Sequence, residues 1–410
     1  MRRNVTSFVI TSLVMTLAAI LPYTVSAYDY SVHEVNLTNY VGNNQNIHPK
    51  VLYFKDGWNG YKFWMAYTPY PYGIPTHENP CIAVSNDGIN WMLPNGAPNP
   101  LASTPSDGYN SDTHLVYRED QNRLECWYRA YTDPLTKDCI MMCSTKDGKN
   151  WSSPVEVCPW NGIFRLSPAV HCADNRYVMY YVIGCKAYLM RSGANFDCSE
   201  WSEAVKINLG DDDPLVWHLD VVPGEDGWNE IVYQDLGVTG NSNNFSSLWY
   251  VRYNHIDNIS ADRVKILVPD GNDNSAMGQG IYRSSLVNVG NEQYVYASSL
   301  AKDQTRHMTV FYGKDLISKM GEYVKSDVNE INYGDECNLK ILDRVISNDC
   351  GLSLTVYDGS GRKIGVGPSV LVGCPGLYLV SCGSKTHKVI IQYINCVLKL
   401  YNLRTQFIYD

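Results

Sequence analysis

Apolar and polar positions along this chain come in short strand-length runs, and the runs recur in pairs. A first run carries a polar or charged residue near its start. A turn follows, and then a second run rich in Tyr and Trp. The first copy is Ile47 to Tyr53 followed by Tyr61 to Tyr67, and the second is Ser111 to Tyr117 followed by Leu124 to Tyr131. The third is Leu166 to Val170 with Tyr177 to Tyr181, the fourth Trp217 to Val222 with Glu230 to Tyr233, and the fifth Tyr282 to Val287 with Tyr294 to Ala297. Start-to-start spacing is about 50 to 65 residues, which suits a four-stranded propeller blade. No stretch carries sustained helical periodicity. Five copies predict an all-β, five-bladed β-propeller over residues 28–325. A two-sheet sandwich is the alternative, and it would not require a five-fold recurrence.

A second signal interleaves with the first. Ser85-Asn86-Asp87-Gly88-Ile89-Asn90-Trp91 returns as Ser144-Thr145-Lys146-Asp147-Gly148-Lys149-Asn150-Trp151, with a worn copy from Ser192 to Trp201. Asp-Gly suits a tight turn between antiparallel strands, where positive φ is needed.

Composition narrows the class. Hydrophobic residues make up 45% and charged residues 18% of the 410 residues, enough apolar material for a large core. A net charge of −9 without basic runs argues against a nucleic-acid partner. Arg2 and Arg3, the apolar run Phe8 to Leu21 and the small-x-small site Val25-Ser26-Ala27 read as a secretory signal peptide over residues 1–27. That reading predicts a secreted or cell-surface protein without a membrane span; an uncleaved single span is the alternative. The 13 cysteines form no paired CxxC motif, which argues against a structural zinc site. Cys126 and Cys143 are placed to face each other across a blade-2 hairpin, either as a disulfide or as buried thiols.

The repeat resembles the five-bladed propeller superfamily of glycoside hydrolase families 43, 32, 117 and 130. The run Trp58 to Pro71, then Glu78-Asn79-Pro80 and the Asp-Gly-x-x-Trp turn, resembles secreted and phage-borne propellers near those families. The resemblance covers about residues 40 to 320. It implies a glycan in the central pocket and a glycosidase, with a non-catalytic carbohydrate-binding or adhesion propeller as the alternative. After about residue 326 the pattern changes. Leu352 to Ile364, Gly376 to Val380 and Lys388 to Gln392 alternate with Gly turns, predicting a small β-sandwich-like domain over 326–410. This series resembles a type IX secretion sorting domain, which implies the secretion machinery as a partner. It departs from that family by running on through Tyr393-Ile394-Asn395 to Asp410. An ordinary accessory β-domain is the alternative.

In a propeller the innermost strands start beside the central axis, so polar residues at those starts converge on one face. The five starts offer His48, Asp112 with His114, Ser167 with Arg165, His218 with Asp220, and Arg283 with Tyr282. Loops on the same face add Glu78 with His77, Asp133, Asp235, and Arg306 with His307. Such groups are costly if buried without partners and make sense around a polar pocket.

Glycoside hydrolysis needs two acid/base groups. Asp112, Asp220, His48, Glu78 and His307 are the catalytic candidates, each with a bland alternative as a cap, loop-shaping group or backbone partner. Family 43 carries an Asp before Pro at the first blade start as its base, and this chain has His48-Pro49 instead. Family 117 implies a histidine acid, a part His307 can fill. His114, His218, Arg283, Tyr282, Ser167 and Trp64 are candidate sugar contacts, as are Tyr70 and Tyr72, against packing or ion-pair roles. No cofactor motif stands out, but His48, Asp112, His114, His218 and Asp220 together form a donor set for a central divalent transition metal.

Overall fold

The computed structural model describes residues 30–391 apart from the stretches 133–136, 211–212, 225–226, 238–245, 262, 272–274, 327–338, 343–344, 349–352, 359–361, 373–375 and 383–384. The leader-like segment, Asp133 and the extension to Asp410 therefore lie outside the described residues. Among the described residues no helix is long and apolar enough to cross a membrane.

Five antiparallel sheets follow one another along the chain, each built from consecutive strands. Blade 1 holds Asn46–Trp58, Tyr61–Pro69 and Cys81–Ser85, and blade 2 holds Gly108–Arg118, Arg123–Thr132, Lys137–Thr145 and Val155–Cys158. Blades 3, 4 and 5 start at Leu166–Ala173, Val216–Pro223 and Gly280–Val289. The amino-terminal strand Ser31–Glu34 pairs with Arg306–Gly313 as the outer strand of blade 5, so the two ends of the repeat are joined by backbone hydrogen bonds. The repeat pattern does not reveal this closure.

The core is divided among the blade interfaces. Separate buried clusters lie between blades 1 and 2, 2 and 3, 3 and 4, 4 and 5, and 5 and 1. Five interfaces for five blades close the ring. Trp64, expected as a sugar contact, sits in the blade 1–2 interface with 1% exposure, and its Nε1 donates to the Trp58 carbonyl at 3.1 Å. Its large ring is spent on packing, so that expectation is corrected.

The Asp-Gly turns end the third strands of blades 1 and 2. In both, the Asp carboxylate accepts from the backbone N–H groups two and three residues further on and from an Asn side chain. The expected third copy at Ser192 to Trp201 forms a different turn, a short 3₁₀ segment Ala194–Phe196. Gly148 has φ +71°, and a Cβ there would sit 2.3 Å from the Trp64 ring. Gly148→Ala is expected to lower stability by more than about 1 kcal/mol, through strain and clash together. Gly290→Ala, at φ +62° in open space, should lose less in the same melting experiment.

One helix departs from the all-β expectation. Leu316–Ser326 places Leu316, Ile317, Met320 and Val324 on blades 4 and 5, an i, i+4 stripe too short to stand out in the sequence. Beyond it, strands from Leu339 to Ile391 form two sheets whose shared core is Ile346, Leu354, Val356, Val370, Val372, Tyr378 and Val380. Cys126 and Cys143 stand directly opposite each other in register, and both are free thiols.

Candidate functional site

Each innermost strand carries an irregularity at the same place. Register shifts skip His48-Pro49, Asp112-Thr113, Ser167-Pro168, Trp217-His218 and Tyr282-Arg283. A bulge breaks the pleat and re-aims a side chain, and here it does so five times around the axis. Three bulge residues adopt left-handed backbone, His48 at φ 56°, Asp112 at 55° and Ser167 at 54°. Strain of this kind costs about 1–3 kcal/mol per residue and collects at functional sites.

The upper layer joins blades 1, 2, 4 and 5. His48 Nε2 lies 3.5 Å and His218 Nδ1 3.1 Å from Asp112 Oδ1. Glu78 Oε2 lies 3.6 Å from His48 Nδ1. The Tyr282 ring meets the His218 ring edge-on at 4.4 Å between centroids and the His48 ring at 5.5 Å. His48 Nδ1 is also 2.8 Å from Thr68 Oγ1 and receives the Asp112 N–H at 3.2 Å. The loop carrying Glu78 is stitched to blade 2: the Asn110 N–H donates to the Glu78 carbonyl, and Asn110 Nδ2 donates to Asn79 Oδ1. His48, Asp112, Glu78 and His218 are all nearly inaccessible to solvent.

These surroundings push the acids apart. Burial, then the Asp112 charge, holds the Glu78 carboxyl well above the usual range, against Arg129 and Arg306. Burial also opposes ionisation of Asp112, but His48, His218 and Arg283 together outweigh it and hold that carboxyl well below its usual value. Burial is the main cause that lowers the proton affinity of His48 and of His218. A carboxyl with a raised folded-state pKa favours the fold below its unfolded pKa and loses that contribution as pH rises from there through the raised folded value. Glu78→Gln is therefore expected to melt above the wild type at pH 7, with the difference closing near pH 4 in calorimetry.

A second layer lies beneath and is structural. Asp220 accepts from Lys50 Nζ at 2.8 Å, Ser285 Oγ at 3.0 Å and the Leu286 N–H at 3.1 Å. With its oxygens so engaged it is not a free catalytic carboxylate, which corrects that expectation. Arg283 donates to the Pro168 carbonyl and to His114 Nδ1 at 3.3 Å, so His114 Nε2–H donates to the Val170 carbonyl. His114 is thus a fully buried, neutral structural residue and not a sugar contact. Arg283 reaches Asp112 Oδ1 at 3.7 Å from below, a carboxylate clamp buried away from solvent. Ser167 Oγ bonds the Leu219 carbonyl and N–H, stapling blade 3 to blade 4. His307, expected as an acid, points to the rim and pairs with Glu34 at 2.9 Å, because strand alternation turns its neighbour Arg306 inwards over Tyr70 instead. Thr68, Lys50 and Arg129 were missed. Thr68 could have been found, since it pairs in register with Ile47 beside His48.

A cluster capable of holding a metal ion is His48, Asp112 and His218, whose ligand atoms lie within 4.8 Å of one another. His48 Nε2 and His218 Nε2 are buried without a hydrogen-bond partner, and Asp112 Oδ1 and His218 Nδ1 have none beyond their mutual contact at 3.1 Å. Leaving such atoms unpaired costs about 1–3 kcal/mol each, and a cation would satisfy all three residues at once.

No family model matches the chain. Part of it is 31% identical over 115 residues to an A type blood N-acetyl-α-D-galactosamine deacetylase of Flavonifractor plautii, covering 27% of this chain and 15% of that protein. The crystal structure of an N-acetylgalactosamine deacetylase from F. plautii, in complex with blood group B trisaccharide, superposes with a TM-score of 0.61 at 19% identity, over 73% of this chain and 98% of that one. The catalytic domain of a Coprinopsis cinerea GH62 α-L-arabinofuranosidase gives a TM-score of 0.50 at 11% identity, over 70% and 96%. The chain has the five-bladed β-propeller fold of these sugar-active proteins, followed by a further pair of β-sheets.

Proposed function

We propose that the protein is a glycan-acting hydrolase that removes an acyl group from an N-acetylated sugar, with a divalent cation held by His48, Asp112 and His218. The observation that carries this reading is the set of unpartnered ligand atoms on those three buried residues. A mixed His and carboxylate set suits a divalent transition metal, which supplies Lewis-acid polarisation of a carbonyl oxygen when bound. In amide hydrolysis water adds to the carbonyl carbon, the C–N bond breaks, the nitrogen gains a proton and acetate departs. Glu78 is suited to take the water's proton and deliver it to the nitrogen, because it stands beside the cluster, 3.6 Å from His48 Nδ1, and burial raises its proton affinity above that of an ordinary carboxylate. Partial identity to a deacetylase supports the same reading.

Cleavage of a glycosidic bond is less well supported. It calls for two carboxyls, about 5–5.5 Å or 6.5–9.5 Å apart. Asp220 is consumed by Lys50, and the remaining Glu78 and Asp112 both flank one imidazole. The test is to incubate the purified protein with blood group A trisaccharide and follow acetate and reducing sugar together. Acetate release that stops with a chelator and returns with Zn²⁺ or Mn²⁺ is expected. Reducing sugar without acetate, or acetate release indifferent to the chelator, overturns the reading. Export belongs to the same proposal, with a mature amino terminus at Tyr28.

A further inference from the structure

Beside the cluster, on the same face, lies an aromatic run that the chemistry above does not use. It begins at Arg129, whose NH1 lies 4.0 Å from Asp112 Oδ2 and donates to Tyr109 Oη at 3.4 Å. Tyr109 and Tyr131 stand opposite each other in register, so their rings share one side of the blade-2 sheet, 5.0 Å apart with planes 26° from parallel. Phe164 follows, 6.4 Å from Tyr131, and Trp160 lies 5.0 Å from Phe164. Phe164 is 44% exposed, and Tyr109, Tyr131 and Trp160 are half-buried.

The run is held in place. Asp138 is buried, accepts Arg129 Nε at 2.9 Å on one oxygen and accepts the Arg165 N–H at 3.2 Å on the other. One carboxylate thus fixes both the arginine at the inner end and the connection that carries Trp160 and Phe164. Large rings kept partly in water beside a polar pocket are costly unless something covers them. The occupant must continue from the pocket and present an apolar face with polar edges. A pyranose ring meets that description, because its C–H face stacks on the negative face of an aromatic ring.

We propose that Tyr109, Tyr131, Phe164 and Trp160 bind the sugar residues that extend beyond the one held at His48, Asp112 and His218, so that the substrate is an oligosaccharide running outwards over blades 2 and 3. The direction of the chain rests on the glycan reading above, but the stacking itself does not require turnover.

The test is calorimetric titration of the full chain with N-acetylgalactosamine and, separately, with blood group A trisaccharide. Phe164→Ala and Tyr131→Ala are each expected to reduce the trisaccharide-to-monosaccharide affinity ratio by about 3- to 10-fold, the worth of one aromatic contact. Phe164→Tyr, which keeps a ring, should restore the ratio. Ile256→Ala removes an exposed apolar side chain near the blade-4 hairpin at the other end of the strands and should leave the ratio unchanged. An unchanged ratio in the Ala variants, equal loss for both sugars, or no saturable trisaccharide binding overturns the proposal. If the ratio falls but no acetate is released, the extended subsite stands and the deacetylase reading falls.

Discussion

Asp112→Asn is expected, on the proposed deacetylase reading, to lower turnover at least about 10²- to 10³-fold, since a cation held there would lose its carboxylate ligand and with it several kcal/mol of charge stabilisation. The Asp112 carboxylate is the point on which the upper layer converges: both imidazoles and the Arg283 guanidinium lie within 3.7 Å of Oδ1. Asn has nearly the same shape, and among L-residues it best tolerates the left-handed backbone found there, φ 55°. The variant should therefore fold, and the loss can be assigned to charge. Steady-state acetate release and metal content of the purified variant are the two measurements. Turnover within threefold of the wild type, with metal retained, would remove Asp112 from the mechanism.

Asp220→Ala is expected to cost about 3–5 kcal/mol of stability, the range for breaking a buried ion pair from one side. It leaves the Lys50 ammonium buried without its anion and strips Ser285 Oγ and the Leu286 N–H of their acceptor. Burial already lowers the Lys50 pKa, and Asp220 is what opposes that shift. The double variant Asp220→Ala/Lys50→Met should recover part of the loss, because the uncompensated charge goes with the lysine. Denaturant midpoints of the two variants decide it. A cost below about 1 kcal/mol for the single change would show that the pair is not structural.

The contrast between these two aspartates shows where sequence reading stops. Each lies in an innermost strand within two residues of a histidine, in Asp112-Thr113-His114 and His218-Leu219-Asp220. Alternation along a strand predicts that each pair shares a face, yet the bulges break the pleat within or beside both pairs. As a result Asp112 joins the upper layer with His218, while Asp220 drops to the lower layer with His114 and Lys50. His307 and Arg306 show the same limit, since a single position decides which of two adjacent cations faces the axis.

What the chain alone determined is local or repetitive: five strand groups, the two Asp-Gly turns, and polar residues at every innermost-strand start. Those features rest on period-2 alternation and turn chemistry, which act over a few residues. The tertiary structure decided the rest. Ring closure by Ser31–Glu34, the burial of Trp64 between blades and the meeting of His48, Asp112, Glu78 and His218 depend on contacts far apart in sequence. Which polar residue is spent on structure and which keeps an unpaired atom is set by the partners that distant strands bring to it.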